Sequence, residues 1–163
     1  MPRRSRPIER ALIALLGCGA SAARADVSGA LDARALIGVD HRHGGAAMVD
    51  AWGGDGWFRY GGALGIGALS GHREKSSRVL APMAISLAIV PPGERSGFSS
   101  VLRLGGYAGG EQGGFVGGGF VGCALGYAVG LGEGASVRVS ADAWGLLGPR
   151  GGFFVGPALG FGF

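Results

Sequence analysis

Cysteine is scarce in this chain, and that removes one class of small secreted fold. There are two, Cys18 and Cys123, and the first lies in a segment expected to be cut away, so no intramolecular disulfide staples the mature protein. Long apolar runs are also missing. From Asp26 onward nothing reaches the ~18 apolar residues of a spanning helix, and no helical period is found, which excludes a helical membrane protein. Excess charge of either sign is lacking too. The chain as a whole has 15 basic and 11 acidic residues, but five Arg and one Glu lie at or before residue 25, which leaves ten of each sign beyond it. The basic balance belongs to the leader, so no nucleic-acid partner follows from it. Catalytic signatures are absent as well: there is no G-x-S-x-G, no H-E-x-x-H and no phosphate loop, and Gly117-Gly118-Gly119 has no helix after it.

What the N-terminus does have is a cationic stretch (Arg3, Arg4, Arg6, Arg10), an apolar run from Ala11 to Ala23, and then Ala23-Arg24-Ala25. This pattern predicts a secretory signal peptide over residues 1–25, cut before Asp26. Leu15-Leu16-Gly17-Cys18 offers a rival, lipoprotein-type cleavage with Cys18 lipidated. The A-x-A site fits better.

Residues 26–163 alternate. Val27, Leu31, Ala33, Ala35, Ile37 and Val39 share one face of a first strand, with Ser28, Asp32, Arg34 and Asp40 on the other. Further strands are expected near 46–53, from Phe58 to Ala68, from Val79 to Ile89, over 97–107, from Phe115 to Leu131, over 136–144, and over 153–163. Turn compositions such as Gly53-Gly54-Asp55-Gly56, Pro91-Pro92-Gly93 and Gly132-Glu133-Gly134 separate them. Eight segments make an even count, each close to the ~9–11 residues of a tilted spanning strand. A soluble barrel would alternate as well, with its apolar row inside. The sixth segment argues against that. It carries no charge on either face, and a strand of Gly, Ala, Val and Phe in water invites aggregation.

The last strand places Phe153, Val155, Pro157, Leu159, Phe161 and Phe163 on one face. Leu159, Phe161 and the terminal Phe163 resemble the C-terminal assembly signal of bacterial outer-membrane barrels. By that motif and by the alternation, residues 26–163 resemble the small eight-stranded barrels of the Gram-negative outer membrane, the OmpA/OmpX-like class. The resemblance implies an all-β, up-and-down antiparallel transmembrane barrel with both termini periplasmic. It implies outer-membrane lipid and lipopolysaccharide as surroundings, and the barrel-assembly machinery and periplasmic chaperones as partners during biogenesis.

If the bulky rows face lipid, the opposite row gathers Asp32, Arg34, Asp50, Arg59, Arg103, Arg138 and Asp142 in the bore, where they are expected to form an ion-pair network. Eight strands leave room for side chains or one small ligand. Glycines on that row (Gly61, Gly65, Gly67, Gly118, Gly122, Gly126, Gly130, Gly160, Gly162) leave space for Tyr107, Phe120 and Trp144, or for a cavity. External connections are expected around 41–45, 70–78, 108–114 and 148–152, with Arg42, Arg73, Lys75, Arg78 and Arg150 as candidates for contact with lipopolysaccharide phosphates. His41, His43 and His72 lack companion ligands, so no metal and no cofactor is expected. Ser70, His72, Glu74, Ser76 and Ser77 are the only material for a lipid-modifying catalytic set.

The reading favours a non-catalytic envelope-structural or surface-interaction barrel. A ligand-binding or narrowly conducting barrel and a lipid-modifying enzyme are the alternatives. Deleting Phe163, or replacing it with Asp, should impair outer-membrane assembly. Unchanged heat-modifiable barrel in the outer-membrane fraction, seen as a gel shift between boiled and unboiled samples, would contradict this.

Overall fold

The computed structural model describes residues 27–54, 56–70, 77–90, 96–111, 114–132, 134–148 and 150–163. The expected signal peptide and its cleavage sites lie outside these residues. Eight strands run in chain order: β1 (Ser28–Gly38), β2 (His43–Gly53), β3 (Phe58–Ser70), β4 (Ser77–Ile89), β5 (Gly97–Glu111), β6 (Gly114–Gly132), β7 (Ala135–Leu147) and β8 (Gly152–Gly162). Each pairs antiparallel with the next, and β8 closes on β1, with Leu31 opposite Phe161 and Ala33 opposite Leu159. No sheet edge is left open, so every strand finds its hydrogen-bond partners within the barrel.

The faces follow the alternation. Leu31, Val49, Leu64, Ile85, Leu104, Leu125, Val139 and Leu159 point outward and are exposed, one from each strand. Asp32, Asp50, Ala63, Ala84, Arg103, Ala124, Asp142 and Ala158 point inward and are buried. A globule in water would have the reverse arrangement. Apolar outside and charged inside is the arrangement that hydrocarbon surroundings favour, because each outward Leu or Ile then keeps an apolar neighbour and each charge keeps a polar one. Exposed aromatics crowd the end that bears the termini, where Trp57, Phe58, Tyr60, Phe98, Tyr127, Phe161 and Phe163 lie. Phe98 and Tyr127 meet there edge to face at 5.0 Å. Amphipathic rings gather at the level of a membrane interface.

The glycines explain how so narrow a bore accepts large side chains. Across the ladder, Trp52 sits beside Gly61, Met48 beside Gly65, Arg103 beside Gly122, Tyr107 beside Gly118, and both Asp32 and Arg138 beside Gly160. A methyl at Gly160 would overlap Asp32 Oδ1, and one at Gly122 would come within 3.0 Å of Phe120 and 3.4 Å of Arg103 Cβ. Glycine here makes room for a neighbour.

Several strands outrun the sequence expectation. β5 continues to Glu111 and β4 begins at Ser77, so only 112–113 separate β5 from β6 where a connection over 108–114 was expected. The cause is the same use of glycine. Gly109 and Gly110 read as turn residues by composition, but Gly109 is a paired strand residue whose Cβ would collide with the Val79 carbonyl. His43 likewise opens β2 and does not belong to a loop.

The facing predicts a position-dependent cost. Leu104→Arg, midway along the outer face, should lower stability in lipid vesicles by about 2–4 kcal/mol, and Leu147→Arg at a strand end by about 0–1. Urea unfolding of the two variants in the same vesicles gives the comparison, and equal costs would contradict the assigned depth.

Candidate functional site

The middle of the bore is a charge layer. Arg103, 0% exposed, grips Asp50, also 0% exposed, in a two-pronged contact with Nε to Oδ1 at 2.9 Å and Nη2 to Oδ2 at 2.7 Å. Arg34 Nη1 donates to Asp142 Oδ2, and its Nη2 reaches Asp32 Oδ2 at 3.3 Å. Arg138 Nη2 donates to the same Asp32 oxygen. Ser140 Oγ supplies Asp142 Oδ1 with a further bond at 2.9 Å. Arg103 also lies 3.7 Å from Asp32 and 3.9 Å from Asp142, so it ties the pairs into one cluster. Three guanidinium groups thus meet three carboxylates, and the layer is neutral. Buried charge at this depth is tolerated only when it is paired and hydrogen-bonded in this way.

Two tryptophans bracket the layer. Arg34 lies over the Trp144 ring at 5.2 Å, and Arg138 over the Trp52 ring at 5.8 Å. Both come from the same short sequence, Asp50-Ala51-Trp52-Gly53 and Asp142-Ala143-Trp144-Gly145. In a strand the residue two places on lies on the same face and one step further along. Because β2 runs toward the termini and β7 away from them, one tryptophan sits on each side of the charges. A cation held against an indole face gains further stabilisation where water is excluded. This repeat is the signal in the sequence that identifies the two tryptophans as partners of the charge layer.

Beyond Trp144, toward the end opposite the termini, the bore is apolar. Leu36, Leu69, Leu80, Val116, Phe120, Trp144, Leu146 and Phe154 form one buried cluster, with Tyr107 in it. Phe120 meets Trp144 edge to face at 5.0 Å. The charge layer and this plug fill the bore in succession.

Arg59 is the expected network member that does not join. It lies four residues from Ala63, the partner of Asp50 across the ladder, which is about 13 Å along a strand. Its Nη1 donates instead to Ser28 Oγ at 2.8 Å, near the terminus-bearing end.

The candidates for contact with lipopolysaccharide divide. Arg78 is a correction: it is the second residue of β4, faces inward with its side chain 6% exposed, and bonds Glu111 Oε2 at 3.0 Å and the Arg150 carbonyl at 2.6 Å. The inward row continues past the expected strand start and takes Arg78 with it. Arg150 is exposed and reaches Glu111 Oε2 at 2.8 Å. Arg42 bonds Asp40 through Nε at 2.6 Å and the Gly151 carbonyl through Nη2 at 2.8 Å, joining the first and last connections of that end. This contact with Arg42 holds the Asp40 carboxyl below its ordinary pKa. Arg73 and Lys75 lie outside the described residues.

Among the histidines, His41 adopts a positive φ of 68° in the turn after β1, and His72 lies outside the described residues. His43 faces outward at the rim, paired across the ladder with Ser70, whose Oγ is 3.1 Å from His43 Nε2. The same hydroxyl lies 3.3 Å from the His43 carbonyl. The imidazole tautomer decides whether this hydroxyl donates to Nε2 or accepts from it while donating to the carbonyl. No group of three metal-ligating side chains occurs among the described residues.

Known structures share this architecture. The crystal structure of Neisserial surface protein A superposes with a TM-score of 0.62 over 83% of this chain and 94% of its own, at 11% identity. The N-terminal β-barrel domain of Pseudomonas aeruginosa OprF superposes with a TM-score of 0.50 over 86% of this chain and all of its own, at 14% identity. The fold is that of the small outer-membrane barrels. No family model matches the chain, and no curated protein matches it in sequence.

The charge layer makes a paired prediction. Asp50→Asn leaves Arg103 buried without its counter-ion and should destabilise the barrel by about 3–5 kcal/mol. Asp50→Leu combined with Arg103→Met removes one charge of each sign and leaves Asp32 and Asp142 matched by Arg34 and Arg138, so it should recover most of that loss. Unfolding curves of Asp50→Leu, Arg103→Met and the double variant measure the coupling, and additive losses would show that the two residues act independently.

Proposed function

We propose that this protein is an integral barrel of the Gram-negative outer membrane with a closed bore, serving the envelope as a structural or surface-interaction component without conducting solute. The observation that carries this reading is the filled interior, in which a neutral layer of three Arg and three Asp is followed by an apolar plug. An ion entering such a bore would have to break buried charge pairs and then cross packed Leu, Phe and Trp. The apolar outer belt supports a membrane location, and the likeness to outer-membrane barrels supports the outer membrane in particular.

In this reading both termini lie in the periplasm, and the connections 39–42, 71–76, 112–113 and 148–151 face outward from the cell. Arg42 and Arg150, and by their place in the sequence Arg73 and Lys75, are then the candidates to pair with lipopolysaccharide phosphates. The connections are short, which suits contact near the lipid plane better than reach toward a distant partner. The likeness to Neisserial surface protein A, a surface protein by name, agrees with this. The barrel-assembly machinery and periplasmic chaperones are the partners of biogenesis, through Leu159, Phe161 and Phe163.

One observation favours a second reading. Ser70 and His43 form a hydroxyl–imidazole pair on the outer face at the rim, the arrangement from which an acyl hydrolase could be built. No acid orients His43 among the described residues, and the hydroxyl is shared with a carbonyl, so the non-catalytic reading stands first. Two measurements separate the readings. Purified protein in planar lipid bilayers should give no discrete conductance steps. Incubated with lipopolysaccharide and phospholipid, it should release no fatty acid, and release that vanishes in Ser70→Ala would establish the hydrolase.

A further inference from the structure

Below Trp52, at the terminus-bearing end, the bore opens into a cavity of about 570 Å³. This is within the range of small-ligand sites. Ala88, Val90 and Ala128 give it an apolar wall, and Trp52, Arg59 and Arg138 border it.

Four buried polar atoms of that wall have no hydrogen-bond partner among the described residues: three N–H groups, and the Ser99 hydroxyl, which can give or take a bond. Trp52, 7% exposed, has no acceptor for Nε1, and Arg138, 8% exposed, has none for Nε. Arg59 Nε is also buried without an acceptor. These three N–H groups cannot satisfy one another, and a buried donor left without an acceptor is destabilising. Charge tells the same story. Asp32, Asp50 and Asp142 are matched by Arg34, Arg103 and Arg138, and Arg78 is paired with Glu111, so among the described residues the remaining inward arginine, Arg59, is the surplus cation, and its one bond there is to the neutral Ser28 hydroxyl. The C-terminal residue Phe163 also borders the cavity, but its backbone oxygen is bonded by the Gly29 N–H at 2.8 Å, at the barrel edge.

We infer that this cavity binds a small amphiphilic anion, a carboxylate or phosphate monoester carrying a short apolar group, with its oxygens on Arg59 and the Trp52 indole and its apolar part against the alanine and valine wall. An anionic oxygen is the acceptor that all three donors lack, and charge-assisted bonds of this kind are the strong ones. A neutral molecule of the same size would leave the surplus cation unanswered.

The test uses the isotopically labelled full-length mature protein in lipid nanodiscs and follows its indole N–H resonances. Hexanoate, hexyl phosphate, hexanol and inorganic phosphate are titrated separately. The Trp52 signal should shift saturably with hexanoate or hexyl phosphate, and the stronger of the two identifies the headgroup. The Trp144 signal, inside the apolar plug, should stay in place. Hexanol and inorganic phosphate should bind about tenfold more weakly or worse, as should either anion to Arg59→Gln, while Arg59→Lys should retain part of the affinity. The inference fails if no saturable shift is seen, if hexanol shifts Trp52 as strongly as hexanoate, or if Arg59→Gln leaves the titration unchanged. It fails equally if binding emerges only after Glu94 and Glu133 are replaced by Gln, since the turns of the chain would then be the occupant of Arg59.

Discussion

Arg103 and Asp50 are wholly removed from solvent at the centre of a bore that eight strands make barely wider than its own side chains, and most of the interior is arranged around that fact. A guanidinium at this depth is stable only with a carboxylate in two-pronged contact. Its presence between Asp32 and Asp142 then requires two further arginines to keep the layer neutral. Large charged groups in one layer need small residues beside them, which is why Gly122 and Gly160 lie across the ladder from Arg103 and from Asp32 and Arg138. The open faces of the guanidinium groups need apolar cover, which Trp52 and Trp144 provide. The barrel's high glycine content is thus a consequence of what its interior must hold, in addition to its turns.

The alternation of side chains was legible because its period is that of the strand itself. A one-residue slip would have reversed every face, so Asp32, Arg34, Asp50, Arg103, Arg138 and Asp142 had to fall together once one row was assigned to lipid. Strand ends were less legible. Gly109 and Gly110 look like a turn to any reading that treats glycine as a breaker, and Arg78 followed them into a loop, although both glycines and Arg78 belong to paired strands. The sequence pattern also could not say how far along the bore each charge sits, because that depends on stagger between strands. Arg59 shares the inward face with the network yet lies well below it, and only the register of β2 with β3 reveals the gap.

The repeated Asp-Ala-Trp-Gly shows how one local pattern yields two different placements. On β2 it carries its tryptophan toward the termini and on β7 away from them, so a single tetrapeptide used on antiparallel strands covers the charge layer from both sides. The two sides then diverge. Trp144 continues into Phe120, Phe154 and the leucine plug, whereas Trp52 looks onto the open cavity beside Arg59. The molecule is therefore closed toward one end and receptive toward the other.

That asymmetry bears on what kind of envelope protein this is. A conducting barrel needs a continuous polar path, and the plug beyond Trp144 interrupts it. An enzyme at the rim needs a base oriented by an acid, and among the described residues no carboxylate bonds the His43 ring beside Ser70. A structural or surface role asks only for a rigid barrel whose exposed end is held in shape. The clasps that Arg42 and Arg78 make onto the 148–151 connection do this: each guanidinium bonds both a carboxylate and a backbone carbonyl of that connection. The connection is thus tied to two separate parts of the rim, the turn after β1 and the start of β4. The packed plug at one end and the cavity beside Arg59 at the other place any binding chemistry of the bore on the side of the termini.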